Sequence, residues 1–206
     1  MLRKLLFVML VIMSASMVTQ LFADYLVNFE GATETKTGYA SGTVNLSGLD
    51  WNMTEALIGN STADWKNGTK SARFSGKTSS SMTMLEDKTG GMGTLSFQYR
   101  RYGTDSQVVW KVEHSTDSGS TWTQIGSDFT ATADVQTFTE EVNVAGNVRI
   151  RILTGNTGTS NRRMNIDDIN ITDYNGGSPT PIINVSGTLS PFSAYTGTPS
   201  ASQSYT

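Results

Sequence analysis

From Tyr25 to Tyr174 apolar and polar residues alternate in short runs, broken by Gly, Asn, Ser and Asp. Over Thr94–Tyr102, Leu95, Phe97 and Tyr99 share one parity while Ser96, Gln98 and Arg100 share the other. Gln107–Ser115 sets Val108, Trp110 and Val112 against Lys111 and Glu113, and Asn147–Leu153 sets Val148, Ile150 and Ile152 against Arg149 and Arg151. Successive strand side chains point to opposite faces, so a period of two marks half-buried strands. Further strands are predicted at Tyr25–Phe29, Lys70–Gly76, Ser80–Leu85 and Asn165–Thr172. Roughly nine or ten such strands, separated by turn residues and free of helix-period runs, predict an all-β, two-sheet sandwich over 24–174.

The two ends read differently. Arg3 and Lys4 precede an apolar run from Leu5 to Met13, and small or polar residues follow as far as Ala23. That is the layout of a secretory signal peptide over 1–23. The other reading, a membrane anchor, asks for about 20 apolar residues, more than this run supplies. Cleavage near Ala23 leaves no membrane span, and the expected location is secreted or cell-surface. Asn175–Pro181 reads as a Gly- and Pro-containing linker. Residues 182–206 are the start of a second β module or a disordered tail, because so short a piece buries no core alone.

Composition narrows the function classes. The net charge of -3 gives no general attraction to nucleic acid. The chain has no cysteine, so an extracellular fold rests on its core, with or without a metal. Ser115–Trp122 matches the Asp-box pattern Ser-x-Asp-x-Gly-x-Thr-Trp at every defined position. Its chemistry is that of a hairpin: Ser and Asp bond to backbone amides, Gly takes positive φ and Trp packs over the turn. One copy is no propeller, and the reading is structural.

Glu30 lies at the end of the first strand, and Asp167 lies in the last, on the parity of Ile169 and Ile171. If those strands are neighbours, two carboxylates meet there, hard oxygen ligands suited to a structural calcium ion. The other reading has Asp167 bonded to backbone amides or arginine and Glu30 in solvent.

The order of short motifs is itself informative: Phe29-Glu30-Gly31, Trp51, Gly68–Phe74, Leu95–Tyr99, the Trp110 strand, Ser115–Trp122, Val148–Ile152 and Ile166–Ile169. It resembles the jelly-roll modules at the front of secreted bacterial proteins, of the choice-of-anchor and MAM-like type. More distantly it is similar to carbohydrate-binding jelly rolls. The resemblance implies a jelly-roll sandwich with Glu30 and Asp167 holding a structural metal and Asp168 as a further candidate ligand. It also implies an immunoglobulin-like start after Pro181. The cysteines of animal MAM domains are missing, which places the resemblance with the bacterial branch.

No catalytic centre is legible. The single histidine, His114, follows the Trp110–Val112 parity and reads as a core or turn residue. Asp167 and Asp168 are adjacent in a strand and point apart, unlike the facing carboxylates of a glycosidase. For ligand binding, Trp65 in a polar loop and Tyr102 after two arginines are the best exposed aromatics, whereas Trp51 reads as core. Two functions remain. One is a binding or adhesion module for polysaccharide or cell-surface glycan at the N-terminus of a larger secreted protein. The other is a structural accessory domain of a downstream secreted enzyme.

Overall fold

The computed structural model describes residues 24–155 and 158–174. The expected signal peptide (1–23), linker (175–181) and second β module or tail (182–206) lie outside the described residues. All regular elements among the described residues are strands: β1 Tyr25–Val27, β2 Gly42–Leu46, β3 Leu49–Thr54, β4 Ala56–Gly59, β5 Ser71–Phe74, β6 Ser81–Met84, β7 Met92–Arg101, β8 Trp110–Ser115, β9 Thr123–Phe129, β10 Gln136–Val144, β11 Arg149–Thr154 and β12 Met164–Ile171. They form two six-stranded antiparallel sheets. The first runs β10-β7-β12-β5-β4, with β1 also paired to β12. The second runs β2-β3-β6-β11-β8-β9.

The inner faces meet in one core. Alternation in β7 and β11 places Leu95, Phe97, Ile150 and Ile152 inside, as their parity predicts. Trp51 and Trp110 are fully buried. Trp110 meets Phe74 from the opposite sheet edge-to-face at 5.2 Å, and Phe97 stacks on Phe138 at 4.8 Å. The Trp51 indole N–H donates to the Tyr25 hydroxyl at 2.8 Å, which in turn donates to the Leu46 carbonyl at 2.6 Å. A buried polar atom in the core is thus satisfied twice over.

Three features depart from the reading by parity. The Ser47-Gly48 pair joins β2 to β3 with both residues at positive φ (48° and 95°), the backbone of a two-residue I′ hairpin. All four residues of β4 are buried, so it shows no alternation. In β12 the ladder with β7 shifts between Asp167 and Asn170, where Asp168 takes φ 52°. This bulge puts Asp167 opposite Gln98, on the outer face, while Ile166, Ile169 and Ile171 all point inward. Asp167 therefore does not share the face of Ile169 and Ile171.

Candidate functional site

The segment 60–70 between β4 and β5 crosses the outer face of the first sheet, and three carboxylates hold it there. Asp64 comes first. Its Oδ2 accepts the Ser61 amide (3.0 Å) and hydroxyl (2.8 Å), a local turn of the kind Asp favours. Its Oδ1 accepts the Arg73 guanidinium and the Asn165 side-chain amide, both at 3.0 Å. The Asp64 side chain is fully buried. Gly59 leaves room for it, since a Cβ there would lie 2.5 Å from Oδ2.

Asp167 is second. It is 0 % exposed, and its oxygens accept the Asn67 amide at 2.8 Å and the Asp168 amide at 2.9 Å. Burial pushes its pKa up to about 7; these two amides oppose the shift, and the charges of Asp168 and Glu30 add to it. None of the ion pairs among the described residues includes it. Glu30 is third. One oxygen accepts the amides of Thr69 (2.8 Å) and Lys70 (3.0 Å), and the other takes the Thr69 hydroxyl. These bonds, the Thr69 hydroxyl foremost, hold its carboxyl below the usual range. Gly68, at φ 129°, lets the loop close on Glu30, whose Oε1 would sit 2.6 Å from an added Cβ.

β1 and β12 pair, so Glu30 and Asp167 do approach one another. Asp168 does not join them: its Oδ2 takes the Asn67 side-chain amide at 2.7 Å and that of Gln98 at 3.4 Å. Among the described residues no three His, Cys, Asp or Glu side chains converge as a metal centre. The three-carboxylate set of Glu30, Asp167 and Asp168 is therefore not formed, because the bulge at Asp168 turns its side chain toward solvent-side amides. What remains is the buried Asp167 carboxylate, held by two backbone amides, beside the Glu30 carboxylate, held by two amides and a hydroxyl. That donor pair fits a hard cation completed by backbone carbonyls or water.

Trp65 sits within this pinned segment. Its amide donates to Asn165 Oδ1 (3.3 Å) and its carbonyl accepts the Ser71 hydroxyl (2.7 Å), while the ring is half-buried and makes no side-chain hydrogen bond among the described residues. Tyr102 is engaged otherwise. The Arg163 guanidinium lies 4.0 Å from its ring centre and that of Arg73 5.2 Å, so cations already occupy its π surface. Tyr99 is core, packed on Phe129 at 4.7 Å. His114 faces the core beside Ile150, and burial lowers its pKa.

The Ser115–Trp122 segment forms the β8–β9 hairpin. Asp117 accepts the Thr121 amide (2.8 Å) and hydroxyl (2.6 Å), and the Ser115 hydroxyl accepts the Gly119 amide (2.8 Å). Bonds from Ser115 and Thr121 take the Asp117 pKa down to about 2. Trp122 donates to the Gly119 carbonyl at 3.0 Å, with the Arg151 guanidinium 4.3 Å from its ring centre. Each residue that defines the pattern closes the turn.

Reasoning from the sequence missed a second feature. A cleft of about 210 Å³ opens beside Tyr39, Glu55, Lys77, Asn161 and Arg163, residues scattered along the chain. The segment before β2 (Tyr39), the β3–β4 corner (Glu55), the β5–β6 loop (Lys77) and the return before β12 (Asn161 and Arg163) meet there.

No family model matches the chain, and no curated protein matches it. Solved structures do resemble it. The K2 cleaved adhesin domain of Lys-gingipain superposes with a TM-score of 0.52 at 16% identity, covering 73% of this chain and 99% of that one. This chain is a jelly-roll sandwich. The CBM22-1 xylan-binding domain of Xyn10C from Paenibacillus barcinonensis gives a TM-score of 0.49 at 10% identity, covering 73% and 93%. A further xylan-binding domain of the same CBM 22 class gives 0.48 at 11% identity, covering 73% and 94%. At these identities the likeness is one of fold.

Proposed function

We propose that this jelly roll is a non-catalytic, extracellular carbohydrate-binding module, with Trp65 as its stacking residue. The observation that carries this reading is the state of Trp65: its backbone is bonded on both sides, whereas its half-buried ring makes no side-chain hydrogen bond among the described residues. An aromatic anchor fixed before binding loses little conformational freedom when it stacks on a sugar face. The adhesin-domain fold and the signal-like N-terminus support an extracellular setting. Affinity electrophoresis in gels containing xylan or galactan tests it. Retention of the wild type and a loss of about tenfold in Trp65→Ala, at unchanged melting temperature, is the expected result. A wild type that migrates freely in a range of polysaccharides would instead favour the structural accessory role.

The same segment supports a structural calcium ion held by Glu30 and Asp167. Such an ion neutralises the buried Asp167 carboxylate and locks the loop that displays Trp65. Because an ion bound only by the folded chain stabilises it by mass action, the melting temperature should rise with added Ca²⁺ and fall with chelator. Glu30→Ala should remove the difference; identical wild-type melting in both buffers would end the assignment.

A further inference from the structure

The cleft beside Tyr39 has the features of a second binding site. Two of its lining residues, Glu55 and Asn161, are non-glycine residues in the left-handed region, at φ 47° and 59°. Such backbone is strained and persists where the surroundings enforce it, commonly at functional sites. At Glu55 the enforcement is visible. Its amide donates to the Tyr39 carbonyl at 2.8 Å, and its own carbonyl accepts the Ser75 amide at 2.8 Å. Glycine would adopt this corner freely, yet the residue present carries a carboxylate to the cleft.

The side chains there form a balanced polar set. Glu55 Oε1 lies 2.8 Å from Lys77 Nζ, at the rim, with the Lys77 side chain 46% exposed. Arg163 is held by both oxygens of Asp105, at 2.7 and 3.1 Å, so its charge is matched behind the cleft. Tyr39 forms an aromatic wall whose hydroxyl accepts the Arg73 guanidinium at 3.0 Å. Ser160 and Asn161 add a hydroxyl and an amide. In such a pair the carboxylate accepts from one hydroxyl and the ammonium donates to the next, which matches vicinal hydroxyls on a sugar ring. With positive and negative groups paired, the cleft favours a neutral ligand, and its volume suits one pyranose ring rather than a chain.

We infer that this cleft binds a single neutral sugar unit, the end of a glycan chain, with its hydroxyl pair bridging Glu55 and Lys77 and its ring against Tyr39. The inference rests on the carbohydrate reading of the module but uses a site separate from Trp65. Asn161→Gly is the informative variant: it removes the amide while suiting the left-handed backbone, so the protein should melt at the same or a higher temperature. Lys77→Met removes the exposed ammonium. Methyl glycosides of glucose, galactose and xylose serve as probes, with methyl glucuronoside as the charged comparison, read by titration calorimetry and ligand-observed NMR. At least one neutral glycoside should bind the wild type, and both variants should weaken it about tenfold or more while Trp65→Ala leaves it unchanged. The site is overturned if no neutral glycoside binds, if the glucuronoside binds best, or if binding survives in both variants. A wild type retained in xylan gels that binds no glycoside sinks this site alone, whereas failure in both assays removes the carbohydrate reading as well.

Discussion

Asp64→Ala should destabilise the protein by about 3–5 kcal/mol, the scale for removing one partner of a buried ion pair. The loss exceeds that of an ordinary surface salt bridge because three other groups depend on the same carboxylate. Arg73, only 17% exposed in its side chain, would keep a charge without its partner. The buried Asn165 amide would lose the bond it makes to Oδ1, and Ser61 would lose both of its bonds. Urea unfolding measures the effect. The double variant Asp64→Ala/Arg73→Met should recover part of it, since the unpaired charge is then gone. Asp64→Ala alone should also weaken polysaccharide retention under conditions where the protein stays folded, because the segment carrying Trp65 is released from the sheet. A loss under 1 kcal/mol would mean that the pair behaves as a solvated one.

The second large effect is a pH dependence centred on Asp167. Its folded pKa is about 7 against an ordinary 3.8, so between those values the folded chain holds a proton that the unfolded chain has lost. Stability from this group is therefore complete below about pH 4 and declines as pH rises, until it is gone above about pH 7. For a fully buried group the difference amounts to about 4 kcal/mol. Melting followed from pH 4 to 8 in chelator should show this decline, and Asp167→Asn, which carries no charge at any of these pH values, should flatten it. Calcium opposes the same loss by replacing the proton, so the wild type in Ca²⁺ should hold its stability near pH 7. A chelated wild type as stable at pH 8 as at pH 5, relative to Asp167→Asn, would show that the carboxylate is solvated in solution.

How much of this was legible depended on how many neighbours each residue answers to. Strands with one face in the core and one in solvent, such as β7 and β11, declared themselves by alternation, and Phe97, Trp110 and Ile150 are inside as their parity requires. β4 did not, because the 60–70 segment covers its outer face and all four residues are buried. β9 shows Ile125 as its single buried position, too weak a pattern to stand out, and the β2–β3 hairpin closed by Ser47-Gly48 was not read from the sequence. The Ser115–Trp122 hairpin was legible almost in full, since every bond that closes it is local.

The sites divide along the same line. Sequence alone determined the all-β class and the alternating strands, the turn at Ser115–Trp122, the absence of disulfides and the choice of Glu30, Asp167 and Trp65 as residues to watch, because each follows from local pattern, motif order or composition. Tertiary structure alone decided that Asp168 stands apart, that Tyr102 is occupied by arginines, and that Tyr39, Glu55, Lys77, Asn161 and Arg163 share one cleft. A one-residue bulge reverses the face of everything after it, and corners between sheets join residues about 100 positions apart; neither leaves a periodic trace in the chain.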